Sequence, residues 1–129
     1  SMVAAKKREK LQIYGNDWPT HDGTCVRDFI HVMDLAEAHL ASLKYIDFSK
    51  PDIFTFNIGT GKGTTVLELI RIFEKVNNCS IPIEFVKRRK GDISYSVASI
   101  KHALNILDWS PKRSLEDACF DEWKWQQNK

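Results

Sequence analysis

Hydrophobic positions recur along the chain at two spacings, and each switch between them marks a new element. Val3–Lys10 is a short basic stretch with a helical pattern and an abrupt start. Leu11–Tyr14, β-branched and aromatic, predicts a strand. Gly15 through Gly23 is dense in turn formers and predicts a loop, and Val26–Val32 alternates as a second short strand would. From Asp34 the period becomes helical, with Met33, Ala36, Leu40 and Leu43 on one predicted face, and Pro51 closes this element or its connection. Ile53–Ile58 predicts a further strand, and the glycine loop Gly59–Gly63 follows it. Val66, Leu69, Ile70, Phe73 and Val76 then form the apolar stripe of a strong helix.

The remaining third continues the alternation of types. Ile81–Val86 predicts a strand, and Pro82 places it at an edge or at its own first residue. Lys87–Asp92 is a basic loop. Ser99 is the expected N-cap of a helix carrying Ile100, Ala103, Leu104 and Leu107. Ser114 with Asp117 resembles a shortened capping box opening a last helix that runs to about Gln127. Without repeats, linkers or low-complexity tracts, the expectation is one small mixed α/β unit.

Composition narrows the function classes. The chain has 129 residues, a size typical of one domain, with 43 % apolar and 28 % charged positions. A net charge of +2 is too small to point to nucleic acid or an anionic membrane surface, so any useful positive charge must be local. There is no run of 18 apolar residues and no signal-peptide pattern, so neither a membrane partner nor secretion is expected. Cys25, Cys79 and Cys119 are odd in number and lack zinc-ligand spacing, so the reading is reduced thiols in a cytoplasmic protein without a metal. Ser1-Met2 reads as a cloning remnant preceding a unit that occupies residues 3–129.

Several motifs invite a catalytic reading and fail on spacing. A dinucleotide fingerprint needs G-x-G-x-x-G, whereas the glycines here stand at 59, 61 and 63. A P-loop needs Ser or Thr after its lysine, but Gly63 follows Lys62. The loop therefore reads as a structural turn. Tyr45 and Lys50 have four residues between them, one too many for the Tyr-x-x-x-Lys pair in which a lysine lowers a tyrosine's pKa. No G-x-S-x-G, H-E-x-x-H or Cys/His nucleophile pair occurs, and the four histidines are scattered.

Two basic features carry more. Arg27 lies among apolar neighbours in a strand-like segment, where an unpaired guanidinium is costly. Its fork suits a carboxylate or a phosphate equally, so either an internal ion pair with Asp28, Asp34 or Asp92 or an anionic ligand would satisfy it. Lys87-Arg88-Arg89-Lys90-Gly91-Asp92, taken alone, is a solvated loop, but its ending has a second use. Glycine admits a ligand close to the backbone, and a carboxylate can accept two hydroxyl hydrogen bonds from a ribose. Tyr14, ending a strand, could flank a base.

At this point a resemblance becomes visible. Leu11-Gln12-Ile13-Tyr14-Gly15-Asn16-Asp17, Pro19-Thr20, Asp22-Gly23-Thr24 and Val26-Arg27-Asp28-Phe29-Ile30-His31-Val32-Met33-Asp34-Leu35-Ala36 closely resemble the UDP-glucose 4-epimerases, which are extended short-chain dehydrogenase/reductases. The likeness continues in register through Phe56–Gly61, Arg88–Asp92 and Trp123-x-Trp125-Gln126, covering nearly the whole chain. It implies the small mixed α/β substrate-binding domain of that family, with the Rossmann domain absent. By position, Gln12 and Ile13 would offer backbone groups and Tyr14 its ring to the uridine. Arg27 and Arg89 would hold the diphosphate, and Asp92 the ribose. Phe29 stands where many members have tyrosine, and Lys90 where glutamate is common. Ser96 falls at the sugar-pocket gate, where a small residue implies tolerance for N-acetylated sugars.

The resemblance also implies what the chain lacks. The family's NAD fingerprint, catalytic tyrosine and lysine, and helper serine lie upstream, so no catalytic or cofactor-binding residue is expected here. In the intact enzyme, NAD takes a hydride from sugar C4 and returns it to the other face after the 4-keto sugar rotates, with UDP anchored throughout. UDP-glucose and UDP-galactose would be its substrates, and a homodimer its assembly. A non-catalytic nucleotide-sugar-binding module and another UDP-sugar-modifying member of the wider family remain as alternatives.

Overall fold

The computed structural model describes residues 1–129. Its five strands and four helices run in the order β1 (Leu11–Tyr14), β2 (Val26–Arg27), α1 (Val32–Asp47), β3 (Thr64–Thr65), α2 (Val66–Asn77), β4 (Ile83–Val86), β5 (Tyr95–Ser96), α3 (Lys101–Leu107) and α4 (Leu115–Gln127). The mixed α/β expectation holds, but the strands form two small sheets. One pairs β1 with β4 in parallel, Leu11 opposite Ile83 through Tyr14 opposite Val86. The other has the order β3-β2-β5, antiparallel on one side of β2 and parallel on the other.

Helix ends follow side-chain chemistry. Ser114 and Asp117 form a complete capping box at α4, as the sequence predicts. Thr65 and Glu68 form a second one at α2 that the apolar pattern overshadowed. Ser99 does not cap α3: Ile100 occupies that position, with no side-chain bond to the helix. His31 caps α1, its Nδ1 accepting the Met33 N–H at 3.0 Å, so the helix starts inside the stretch read as a strand and β2 is reduced to two residues.

Packing gathers into two clusters. Val3, Ile13, Ile70, Phe73, Ile81 and Cys119 join β1, α2 and α4. Ala38, Ala103, Leu107 and Trp109 join α1 and α3. Three sequence expectations fail around them. Met2–Glu9 forms turns rather than a helix, because Lys6 adopts a left-handed backbone that breaks the helical path. Met33, Leu40 and Leu43 face outward, about half or more exposed, while Asp34 and Ala38 form the buried side of α1. Ile53–Ile58 alternates as a strand does, with Phe54, Phe56 and Ile58 turned inward, yet it pairs with no other strand. Tyr45 meets the rings of Phe54 and Phe56 edge-on at 5.0 and 5.9 Å, which fixes that inward face.

The thinness of the core is measurable. A folded monomer of 14.9 kDa exposes about 7,000 Å² on the usual scaling of surface with mass. This chain exposes 9041 Å² and buries 19 of its 129 residues. The exposed large apolar residues include several on α1, together with Phe48 and Ile53 at 92 % and 89 %. No helix is long and apolar enough to cross a membrane.

Candidate functional site

The site begins at the open edge of β1. Leu11 and Gly15 donate their N–H groups to the Pro82 and Val86 carbonyls. By strand alternation, Ile13 also turns its backbone to β4, while Gln12 and Tyr14 present theirs to the open side. Of this pair, Gln12 turns its backbone to the open side and Ile13 to β4. Ile13 is 2 % exposed and serves the core. The Tyr14 carbonyl accepts the Trp18 indole N–H at 3.0 Å, and its hydroxyl donates to Gln12 Oε1 at 3.2 Å. Gln12 and Tyr14 also line a cavity of about 840 Å³ with Arg8, Lys10 and Glu84.

The basic loop folds back over this edge. Gly91 takes a φ of +92°, a left-handed turn open to glycine, and the Asp92 N–H closes on the Arg89 carbonyl at 3.3 Å. The Arg89 guanidinium then reaches both Asp92 oxygens, at 3.1 and 3.4 Å, and lies 4.3 Å from the centre of the Tyr14 ring. The Asp92 hydrogen bond, followed by its charge, raises the Arg89 pKa further. Its neighbour is committed elsewhere: Arg88 bonds the Asp17 carboxylate and carbonyl and covers the Trp18 ring at 3.8 Å. Residues of the Gly15–Thr20 loop thus separate the two adjacent arginines, a division invisible in a run of like charges.

Arg27 occupies β2, the central strand of the second sheet, with Ser96 as its register partner on β5. The three carboxylates weighed as its partners are all engaged elsewhere. Asp28 accepts backbone and hydroxyl bonds from Thr60, Gly61 and Ala98. Asp34 is buried against Arg113, and Asp92 holds Arg89. No carboxylate lies within ion-pair distance of the Arg27 guanidinium, which donates to the Val26 carbonyl at 2.7 Å. Arg27 is partly buried and free for an anion.

Gln12, Tyr14, Arg89 and Asp92 thus form one contact cluster, while Arg27 and Ser96 sit side by side in the second sheet, whose strand β5 begins three residues after Asp92. Phe29 joins neither. It lines a separate cavity of about 440 Å³ with Thr60, Lys62, Thr64 and Arg113. Trp18 and Asp28 escaped sequence reasoning as site-shaping residues, although both adjoin residues it selected.

The NAD dependent epimerase/dehydratase family matches residues 1–59. UDP-glucose 4-epimerase of Bacillus subtilis is 45 % identical over 126 residues, covering 98 % of this chain and 37 % of its own length. The UDP-glucose 4-epimerase of Stenotrophomonas maltophila, solved with NAD and formylated UDP-arabinopyranose, superposes at a TM-score of 0.94 with 46 % identity over 98 % of this chain and 38 % of its own. The UDP-Glc/GlcNAc 4-epimerase of Campylobacter jejuni gives 0.86 with 40 % identity, covering 99 % and 39 %. The fold is that of the C-terminal domain of NAD-dependent epimerases. Within that class, the chain matches UDP-glucose 4-epimerases in sequence and structure and spans little more than a third of their length.

Proposed function

We propose that this chain is the nucleotide-sugar-binding part of an NAD-dependent UDP-glucose 4-epimerase, anchoring UDP while a 4-keto sugar turns over, and that it is inactive alone. One observation carries this reading. Arg27 is a partly buried guanidinium whose nearby carboxylates all serve other partners, so its fork awaits an external anion. A diphosphate fits, since phosphate oxygens accept paired charge-assisted bonds, each contributing roughly 1.5–3 kcal/mol. Arg89 offers a second fork, Asp92 a carboxylate for ribose hydroxyls, and the Tyr14 ring a flat face for a base. Gln12 contributes its open-edge backbone, and Ile13 holds the strand in the core. Phe29 lacks a hydroxyl and lines the neighbouring cavity with Thr60, Lys62 and Thr64, two positions along the chain from Arg27.

The same reading accounts for the unfinished surfaces. Ile53–Ile58 has strand alternation and no strand partner, and α1 shows Met33, Leu40 and Leu43 to solvent. A sheet-bearing, NAD-binding domain docked there would complete both and would bring the chemistry this chain lacks. Ser96, small and beside Arg27, would leave room for an N-acetyl group, and one similar structure is named a UDP-Glc/GlcNAc 4-epimerase.

The test is a product assay of the full-length protein bearing this segment. Interconversion of UDP-glucose and UDP-galactose, with KM raised by Arg27→Ala and by Arg89→Ala, is expected. Absence of interconversion, with UDP still bound, would favour a non-catalytic module.

A further inference from the structure

Asp28 stands between Arg27 and Phe29, and its carboxylate accepts four hydrogen bonds. Oδ1 takes the Thr60 N–H at 2.8 Å and the Thr60 hydroxyl at 2.5 Å. Oδ2 takes the Gly61 N–H at 2.9 Å and the Ala98 N–H at 3.3 Å. The glycine loop therefore does cradle an anion with its backbone amides, and the anion is the protein's own side chain. Gly59 is shaped around it, since a Cβ there would come within 2.5 Å of Asp28 Oδ2 and 2.7 Å of Ala98 Cβ.

These bonds join the two flanks of β2. Thr60 and Gly61 lead into β3, and Ala98 follows Ser96 of β5 by two residues. Each pairing of β2 holds only two residue pairs, Val26 and Arg27 against Thr65 and Thr64 on one side and against Tyr95 and Ser96 on the other. Ladders that short have little of their own to fix register, and a slip of one residue would turn Arg27 to the opposite face.

We infer that Asp28 is the positioning residue of the nucleoside-diphosphate subsite: its carboxylate locks β3 and β5 to β2, and so holds the Arg27 guanidinium beside Ser96. This deepens the nucleotide-binding reading and rests on it for the ligand. The register lock itself stands on geometry alone.

Hydrogen exchange and a UDP titration, both read by NMR on this chain, separate the two. Asp28→Asn puts an N–H group against the Gly61 and Ala98 donors, and Thr60→Val, a milder change, keeps the backbone bonds to Asp28 but removes the hydroxyl's bonds to Asp28 and to the Lys62 backbone. The Val26 N–H, bonded to the Ser94 carbonyl at 2.8 Å, should exchange about tenfold faster in Asp28→Asn, on the scale of one net hydrogen bond, and less so in Thr60→Val. Amides of Ile70 and Phe73 in α2 should keep their protection. With UDP, shifts at Arg27 and Ser96 should shrink in both variants while those at Tyr14, Arg89 and Asp92 persist. Unchanged Val26 exchange, or acceleration in step with α2, would reduce Asp28 to a general structural role. A wild-type chain showing no UDP response at Arg27 would overturn the diphosphate assignment, leaving exchange to decide the lock.

Discussion

Arg89 and Asp92, three residues apart across the left-handed Gly91, meet through two guanidinium–carboxylate contacts of 3.1 and 3.4 Å. The side chain expected to hold phosphate and the one expected to hold ribose are thus bonded to each other in the free chain. The pair keeps both groups at the Tyr14 edge of β1, with the guanidinium against the ring. A nucleotide would compete with Asp92 for Arg89, or use the outer face of the same fork.

The pair is organisational rather than stabilising. Arg89 is 61 % exposed, so solvent screens the pair and its contribution to stability is small. Asp92→Ala should leave the urea midpoint nearly unchanged while weakening UDP-induced shifts at Tyr14 and Arg89. A large drop in stability would show that the turn depends on the ion pair.

Asp34 behaves in the opposite way. Burial pushes its carboxyl upward, but the Arg113 and Lys112 N–H groups and the Arg113 guanidinium outweigh that and hold it below the ordinary value. A carboxyl lowered on folding stabilises above its unfolded pKa, and that contribution is lost as pH falls through the folded value. Urea unfolding should therefore show stability level near neutrality and falling below about pH 4. Arg113→Ala removes the guanidinium from the buried Asp34 carboxylate and leaves it only the backbone N–H bonds of residues 112 and 113, so it should lower stability measurably. Its acid-limb slope should be shallower than that of wild type.

The outward face of α1 predicts association. Leu40 and Leu43, each 59 % exposed, lie with Met33 on a largely exposed apolar stripe. Sedimentation velocity should find concentration-dependent oligomers of the isolated chain, and Leu40→Glu with Leu43→Glu should yield monomers with unchanged helix content. In the full-length protein the same changes should disrupt domain packing instead.

Ser96 predicts a selectivity change. Ser96→Tyr in the full-length enzyme should lower kcat/KM for UDP-N-acetylglucosamine by about tenfold or more while sparing UDP-glucose, because the ring fills space beside Arg27. Equal losses for both sugars would remove Ser96 from the sugar pocket.

What the sequence made legible was set by how local the causes are. The α4 capping box needs only Ser114 and Asp117, four positions of chain, and it reads correctly. The stripe on α2 also reads correctly, because its apolar face meets α4 and β1 within this chain. The stripe on α1 misleads: its apolar side is largely exposed here, and the buried side is organised around Asp34, a charge whose partner is Arg113, 79 positions away. Strand pairing of Ile53–Ile58 has the same difficulty, since alternation reports two faces and not what lies at the edge. At the site, residue types pointed to Arg27, Arg89 and Asp92. Only coordinates show that Asp28, Asp34 and Asp92 are taken, which turns an even choice for Arg27 into a direction.

The most direct measurement is an NMR titration of the ¹⁵N-labelled chain with UDP, carried into the millimolar range. The account predicts weak, saturable shifts confined to Gln12, Tyr14, Arg27, Arg89, Asp92 and Ser96, abolished by Arg27→Ala together with Arg89→Ala. Shifts that survive the double substitution, or that cluster away from these residues, would contradict it.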